Sequence, residues 1–120
     1  MDFCGIDCAL AFHTNQRFAA PQTWNGVAGA DLRGFRKRLR PTWAILPAAC
    51  GEMPPPEPLL KDMKKAGVAA LRAFPQEHRY RLEGMSFPEL FPLMARRHVP
   101  LLAKENLFLL KELLEDCPEL

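Results

Sequence analysis

Four short apolar segments constrain the fold of this chain more than any other feature of its sequence. Each has the length of a strand, and none shows the strict alternation of apolar and polar residues that a one-sided sheet requires. The four segments are Asp7–His13, Thr42–Pro47, Val68–Phe74 and Pro100–Lys104. Near-continuous apolar segments of this length are typical of parallel strands that are buried on both faces. The sequence therefore predicts four parallel strands.

The segments between these strands have the periodicity of amphipathic helices. Helices are predicted over Ala30–Leu39, Pro56–Ala66, Ser86 to about Arg97, and Leu107–Cys117. Gly67 is expected to end the second helix in a left-handed conformation, and Asn106 can cap the fourth. Ser86 and Glu89 have capping-box spacing at the start of the third. The resulting order, βαβαβαβα, predicts an α/β fold with right-handed crossovers.

The number of βα units suggests a barrel. Gly5 and Gly67 each precede a strand with matching apolar residues, an offset of 62 residues that equals two βα units, although any helix–strand junction has similar residues. Four βα units are half of a (β/α)8 barrel, which typically needs about 250 residues. We therefore expect a partial (β/α)8 TIM barrel, a single segment over residues 1–120 that is cut at both ends.

Composition excludes several classes of protein. Hydrophobic residues make up 48% and charged residues 25%, which excludes a disordered chain. The net charge of +2 predicts neither a nucleic-acid nor a membrane partner. No apolar segment has the roughly 18 residues of a membrane span, and the N-terminus does not resemble a signal peptide. The four scattered cysteines do not suggest a disulfide scaffold, so we expect a cytoplasmic location.

Candidate site residues lie where strands end, because side chains at the carboxyl ends of barrel strands face the active site. His13 could act as a general base or a ligand, or hydrogen-bond a loop. Glu52, after the second strand, could orient a basic group or favour the start of a helix. His78 lies on the loop after the third strand, over the same face of the sheet.

Two further candidates depend on ion pairing. Arg72 lies within a strand of Val and Ala, where a buried guanidinium needs a partner. That partner is either a substrate carboxylate, bound in bidentate fashion, or Glu105 across the barrel. Lys104 and Glu105 form either a site pair or a solvent-exposed pair at the end of the fourth strand. The candidate catalytic residues are therefore His13, Glu52, Arg72, His78, Lys104 and Glu105.

A basic segment and two cysteines have simpler interpretations. Arg33–Arg40 contains five basic residues and could be a nucleic-acid patch, but Leu32, Phe35 and Leu39 keep a helical apolar face through it. A solvated helix surface is the favoured interpretation. Cys4 and Cys8 lack a second ligand pair at zinc-ribbon spacing, so no structural zinc is expected.

Several strings of residues resemble amidohydrolase-related proteins, which are TIM-barrel members of the metal-dependent hydrolase superfamily. The strings are Gly5-Ile6-Asp7 with His13-Thr14, Arg40-Pro41-Thr42-Trp43-Ala44-Ile45-Leu46-Pro47, Gly51-Glu52-Met53-Pro54-Pro55-Pro56, and Gly67-Val68 with Arg72, Phe74-Pro75 and His78. The resemblance extends over the whole chain but covers only the part of the family between its first strand and its C-terminal strands.

The resemblance implies a hydrolase of carbon–nitrogen or ester bonds, or a decarboxylase, that uses a divalent metal such as zinc and a small-molecule substrate. The family carries a His-x-His pair on its first strand, a middle ligand and a late Asp, and the first and last of these fall outside this chain. Where relatives place the middle His, this chain has Lys104, a cation that departs from the pattern. We therefore expect a fragment that is inactive alone, with a non-catalytic ligand- or partner-binding α/β module as the alternative.

Self-association is the last expectation. A half barrel leaves two edge strands unpaired and exposes the side chains that face the barrel interior. Ile45, Leu71 and Leu102 are expected among these inward side chains. We therefore expect the open edges of two copies of the chain to pair with each other.

Overall fold

Four parallel strands form one curled sheet in the computed structural model, which describes all 120 residues. The strands are β1 (Ala9–Ala11), β2 (Leu39–Ile45), β3 (Ala70–Ala73) and β4 (Leu101–Ala103). They pair in the order β1-β2-β3-β4, and every pair is parallel. Thr42 is opposite Ala70, and Arg72 is opposite Leu102. The predicted α/β class and the four parallel strands are thus confirmed.

Five helices connect and follow the strands. They are α1 (Pro21–Asp31), α2 (Pro56–Ala66), α3 (Pro75–His78), α4 (Leu90–Arg96) and α5 (Leu107–Asp116). The predicted bounds of α2 are confirmed, as is Gly67 with a left-handed φ of 69°. Asn106 caps α5, because its Oδ1 accepts a hydrogen bond from Phe108 N at 2.8 Å. No helix has both the length and the apolar character needed to cross a membrane.

One helix prediction is wrong, and another helix starts later than predicted. The first helix begins at Pro21, whose fixed φ suits a first turn, and ends at Asp31. The chain then turns through Arg33–Phe35 and enters β2 at Leu39, so the basic segment is not a helix surface. The fourth helix begins at Leu90 without a capping box, because Ser86 Oγ donates to Arg81 O at 2.7 Å instead.

The hydrophobic core lies between the sheet and helices α2 and α4. We call the face of the sheet that is covered by these helices the outer face. Ile45, Leu71 and Ala73 lie on it and pack with Met63 and Phe91. Ile45 and Leu71 are fully buried there, so their predicted inward orientation is wrong. Alternation along the strands places the other side chains on the opposite face of the sheet, which we call the inner face. Its members are Leu10, Phe12, Arg40, Thr42, Ala44, Ala70, Arg72, Phe74 and Leu102.

Beyond the end of β1, buried polar side chains provide the hydrogen bonds that a neighbouring strand would give to β2. Beyond Ala11, no strand pairs with the β1 side of β2. Asn25 of α1 hydrogen-bonds this edge of β2. Its Oδ1 accepts a hydrogen bond from Ala44 N at 2.8 Å, and its Nδ2 donates one to Ala44 O at 2.9 Å. Gln16 Nε2 donates to Asn25 Oδ1 at 2.7 Å and to Thr42 O at 3.0 Å. Side chains therefore satisfy main-chain groups that would otherwise be buried without partners.

Replacement of Asn25 by alanine should lower the free energy of unfolding by about 3 kcal/mol. The change removes three hydrogen bonds and leaves Ala44 N and O buried without partners, at about 1–3 kcal/mol for each unsatisfied group. Urea unfolding measures the loss, with Gln22→Ala on the exposed side of the same helix as the control. Equal stabilities of the two variants would contradict this role for Asn25.

Candidate functional site

Arg72 occupies the inner face near the carboxyl end of β3. Its guanidinium carbon lies 4.5 Å from the centre of the Phe12 ring and 5.9 Å from that of Phe74. Its Nε is buried and has no hydrogen-bond partner. No carboxylate forms an ion pair with it. Burial lowers the pKa of the Arg72 guanidinium below its usual range, yet an arginine side chain keeps its proton in proteins.

Small residues on β2 create the space for this arrangement. Ala44 is directly opposite Arg72 in the parallel register and is almost completely buried. Its short side chain lets Phe12 from β1 and Phe74 from β3 meet across β2, with ring centres 5.6 Å apart. The aromatic pair and Arg72 therefore line one continuous surface.

His78 lies beside this surface at the end of α3. Its ring meets the edge of Phe74 at 5.9 Å between centres, and both ring nitrogens are buried without hydrogen-bond partners. Burial lowers the pKa of the His78 imidazole, against the opposing charges of Glu77 and Glu52. His78 is therefore neutral at pH 7, with one nitrogen able to donate and the other able to accept a hydrogen bond.

An ion pair between Arg17 and Glu77 lies at the same edge of the sheet. Burial opposes ionisation of Glu77, but its hydrogen bonds and the charges of Arg17 and Lys104 hold the pKa of that carboxyl below its usual range. The pair joins the loop after β1 to α3. Sequence reasoning missed Arg17, although its position in the loop after a strand was the available signal.

His13 belongs to a different environment. Its Nδ1 accepts a hydrogen bond from Asn15 N at 3.1 Å, and its ring stacks on Trp24 at 4.6 Å between centres. Its Nε2 lies 4.0 Å from a carboxylate oxygen of Asp31 at the end of α1. These contacts match the loop hydrogen-bonding role that the sequence left open for His13.

Glu105 does not pair with Arg72 or with Lys104, so both predicted pairs are wrong. Its Oε1 accepts from Gln76 Nε2 at 3.2 Å and from Asn106 N at 2.9 Å. The register between β3 and β4 explains why Arg72 and Glu105 do not pair. Arg72 is opposite Leu102, and Glu105 lies three residues beyond Leu102, about 10 Å further along an extended chain. Lys104 is exposed, and so is Glu52, whose charge nevertheless acts on His78.

The chain does not contain a metal site of its own. Nowhere do three or more His, Cys, Asp or Glu side chains come together in a group that could hold a metal ion. His78, the candidate histidine nearest to Arg72, is packed against Phe74. The residues present therefore do not fit the divalent metal that the resemblance implies.

Comparison with known proteins yields no relative. No protein family, no curated protein and no solved structure matches this chain. The resemblance to amidohydrolase-related proteins stays a prediction. The function is therefore inferred from the side chains on the inner face of the sheet.

Proposed function

We propose that this chain is an α/β ligand-binding segment that holds a small carboxylate at the carboxyl edge of its sheet. The observation that carries the proposal is Arg72, a charged guanidinium whose buried Nε has no partner and which has no acid beside it. Buried polar groups in proteins are nearly always hydrogen-bonded, so a buried donor without a partner is a candidate for ligand binding.

The surroundings of Arg72 indicate the rest of the ligand. A guanidinium matches the two oxygens of a carboxylate with parallel N–H donors. Phe12, which is 38% exposed, offers aromatic surface next to those donors, the buried Phe74 packs against it, and His78 adds a neutral imidazole at the same edge. A carboxylate on a flat apolar body, such as an aromatic acid, fits this combination.

The cation–π contacts of Arg72 with Phe12 and Phe74 do not satisfy its hydrogen-bond donors as a carboxylate would. Each contributes roughly 0.5–2 kcal/mol, and neither supplies a hydrogen-bond acceptor in the plane of the guanidinium. Hydrogen bonds that involve a charged group contribute about 1.5–3 kcal/mol. The negative charge of the ligand should therefore dominate recognition, with the aromatic body adding to it.

Calorimetric titration with benzoate and benzamide tests the proposal. Benzoate has nine heavy atoms, and a ligand of this size with a few good contacts should bind with a Kd of about 1 mM. Benzamide has the same shape without the charge, and we expect it to bind at least tenfold more weakly. Equal affinities for the two molecules would contradict a carboxylate site.

A second candidate function is supported by the strand order. Four parallel strands in sequential order in one curled sheet are the arrangement of half a (β/α)8 barrel. We propose that, in such a barrel, Arg72 and His78 contribute to substrate binding at the active edge of an amidohydrolase-like hydrolase. No metal-dependent step is assigned to this chain, because it lacks a ligand set.

The chain by itself should neither retain zinc nor hydrolyse esters or amides. Lys104 is a cation in the position where the resemblance implies a histidine ligand, and no other three-ligand group is present. Metal analysis after dialysis and an assay with p-nitrophenyl acetate measure both properties. The Cys4→Ser, Cys8→Ser, Cys50→Ser variant controls for zinc on exposed thiols. One retained zinc per chain together with turnover is the contrary result.

A further inference from the structure

A concave feature lies at the opposite, amino edge of the sheet. It is a groove of about 920 Å³ between the C-terminal ends of α2 and α4. Leu60, Met63 and Val68 form its floor and are nearly buried. Its volume falls within the range of small-molecule pockets. We call this feature the amino-edge groove.

Basic side chains dominate the walls of the amino-edge groove. They are Lys61, Lys64 and Lys65 from α2 and Arg96 and Arg97 from α4. Glu57 is the one acidic residue of the lining, and it pairs with Arg97. Lys65 pairs with Asp62 at 3.4 Å. Lys61, Lys64 and Arg96 remain without a carboxylate in ion-pair contact.

Helix ends do not account for these three cations. Lysine and arginine are favourable at the C-terminus of a helix, where the exposed carbonyls amount to about half a negative charge. Two helix ends therefore offset about one positive charge, and Lys61, Lys64 and Arg96 supply three. A surplus of about two positive charges stays in one concave space.

In the other basic segment, contacts engage Arg36 and Arg38, whereas Arg33, Lys37 and Arg40 also lack a carboxylate partner. Arg36 donates to Gly29 O at 3.1 Å. Arg38 binds Asp2 and the main-chain oxygens of Ile6 and Asp7. These two side chains hold the segment between α1 and β2 in place.

We propose that the amino-edge groove binds a phosphate monoester dianion, with Lys61, Lys64 and Arg96 as its ligands. The charge of a phosphate monoester at neutral pH, about −1.5 to −2, matches the surplus in the groove. The three cations surround one concave space of limited volume, which favours a small phosphorylated molecule over an extended polyanion. The groove lies at the opposite edge of the sheet from Arg72, so the two sites are independent.

Chemical-shift mapping of the full chain with phenyl phosphate and with inorganic phosphate tests this proposal. Both probes should shift the amide signals of Lys64–Gly67 and Arg96–Val99. The Lys64→Gln, Arg96→Gln variant should weaken phenyl phosphate at least tenfold. A matched control, Arg81→Gln with Lys111→Gln, removes the same charge from side chains that line other parts of the surface.

Two results would overturn the phosphate site. One is the absence of shifts at the ends of α2 and α4 with either probe. The other is an equal loss of affinity in the control variant, which would show diffuse attraction to a positive protein. Both variants change exposed side chains, and a wild-type pattern of unaffected amide signals confirms that they remain folded.

Discussion

Replacement of Arg72 by methionine is expected to abolish benzoate binding while leaving the chain folded. Methionine keeps the apolar stem between Phe12 and Phe74 and removes the guanidinium. Loss of a bidentate, charge-assisted pair costs about 3 kcal/mol of binding, which is more than a hundredfold in Kd. The same change removes a half-buried charge that has no acid beside it, but it also removes both cation–π contacts, so the free energy of unfolding should change by no more than about 1 kcal/mol.

Arg79→Met is the matched control, because Arg79 is an exposed arginine on the loop that follows α3. It should alter neither benzoate affinity nor stability by more than about 0.5 kcal/mol. Calorimetry and urea unfolding measure the two quantities. A less stable Arg72→Met variant with unchanged affinity would show that Arg72 has a structural role.

The isolated chain is expected to self-associate. β1 and β4 are the two edges of the sheet, and Ala9–Ala11 and Leu101–Ala103 carry neither Pro nor Lys to prevent pairing with another strand. On the inner face, Leu10 is 45% exposed and Phe12 is 38% exposed. Burial of each such side chain favours association by roughly 1.5–3 kcal/mol. Light scattering should therefore give at least twice the chain mass of 13.6 kDa.

A lysine at the centre of β1 should prevent this association. Leu10→Lys places a charge both at the edge and on the inner face, and we expect it to shift the population toward monomer. Phe3→Lys is the control, because Phe3 is fully exposed and lies outside the sheet. A monodisperse wild-type monomer near 14 kDa with cooperative unfolding would contradict the open half-barrel account.

The strands and their parallel order were predictable because each apolar segment is strand-sized and separated by a helix. The faces of the strands were not. Both sides of β2 and β3 carry apolar residues, which weakens the signal for which face is buried. Adjacent side chains on a strand point to opposite faces, so Arg72 on the inner face already implied that Leu71 points outward. Side-chain orientation depends on where pairing begins, and a shift of one residue reverses every side chain.

The first helix was misplaced for a related reason. Leu32, Phe35 and Leu39 have helical spacing, yet Phe35 is 64% exposed and Leu39 begins a strand. The stronger signal was Pro21, which starts α1. Asn25 and Gln16 gave no periodic signal at all, because they act through hydrogen bonds to the main chain of β2 and not through apolar packing.

Half of the candidate site was predictable from position alone. Arg72 and His78 follow from the rule that sites lie at the carboxyl ends of parallel strands. The environment of Arg72 was not predictable, since Phe12 reaches it from β1 across Ala44. The pairing of Arg72 with Glu105 is not found, and it could not be judged from the sequence, because the sequence does not give the register between β3 and β4.

The most direct test of the account is the NMR signal of the Arg72 Nε–H group during a benzoate titration. A carboxylate that accepts a hydrogen bond from this buried donor should move its proton signal strongly downfield and saturate with a Kd of about 1 mM. Benzamide at the same concentrations should leave the signal in place. A signal that benzoate does not move would contradict the central claim that Arg72 is the anchor for a carboxylate ligand.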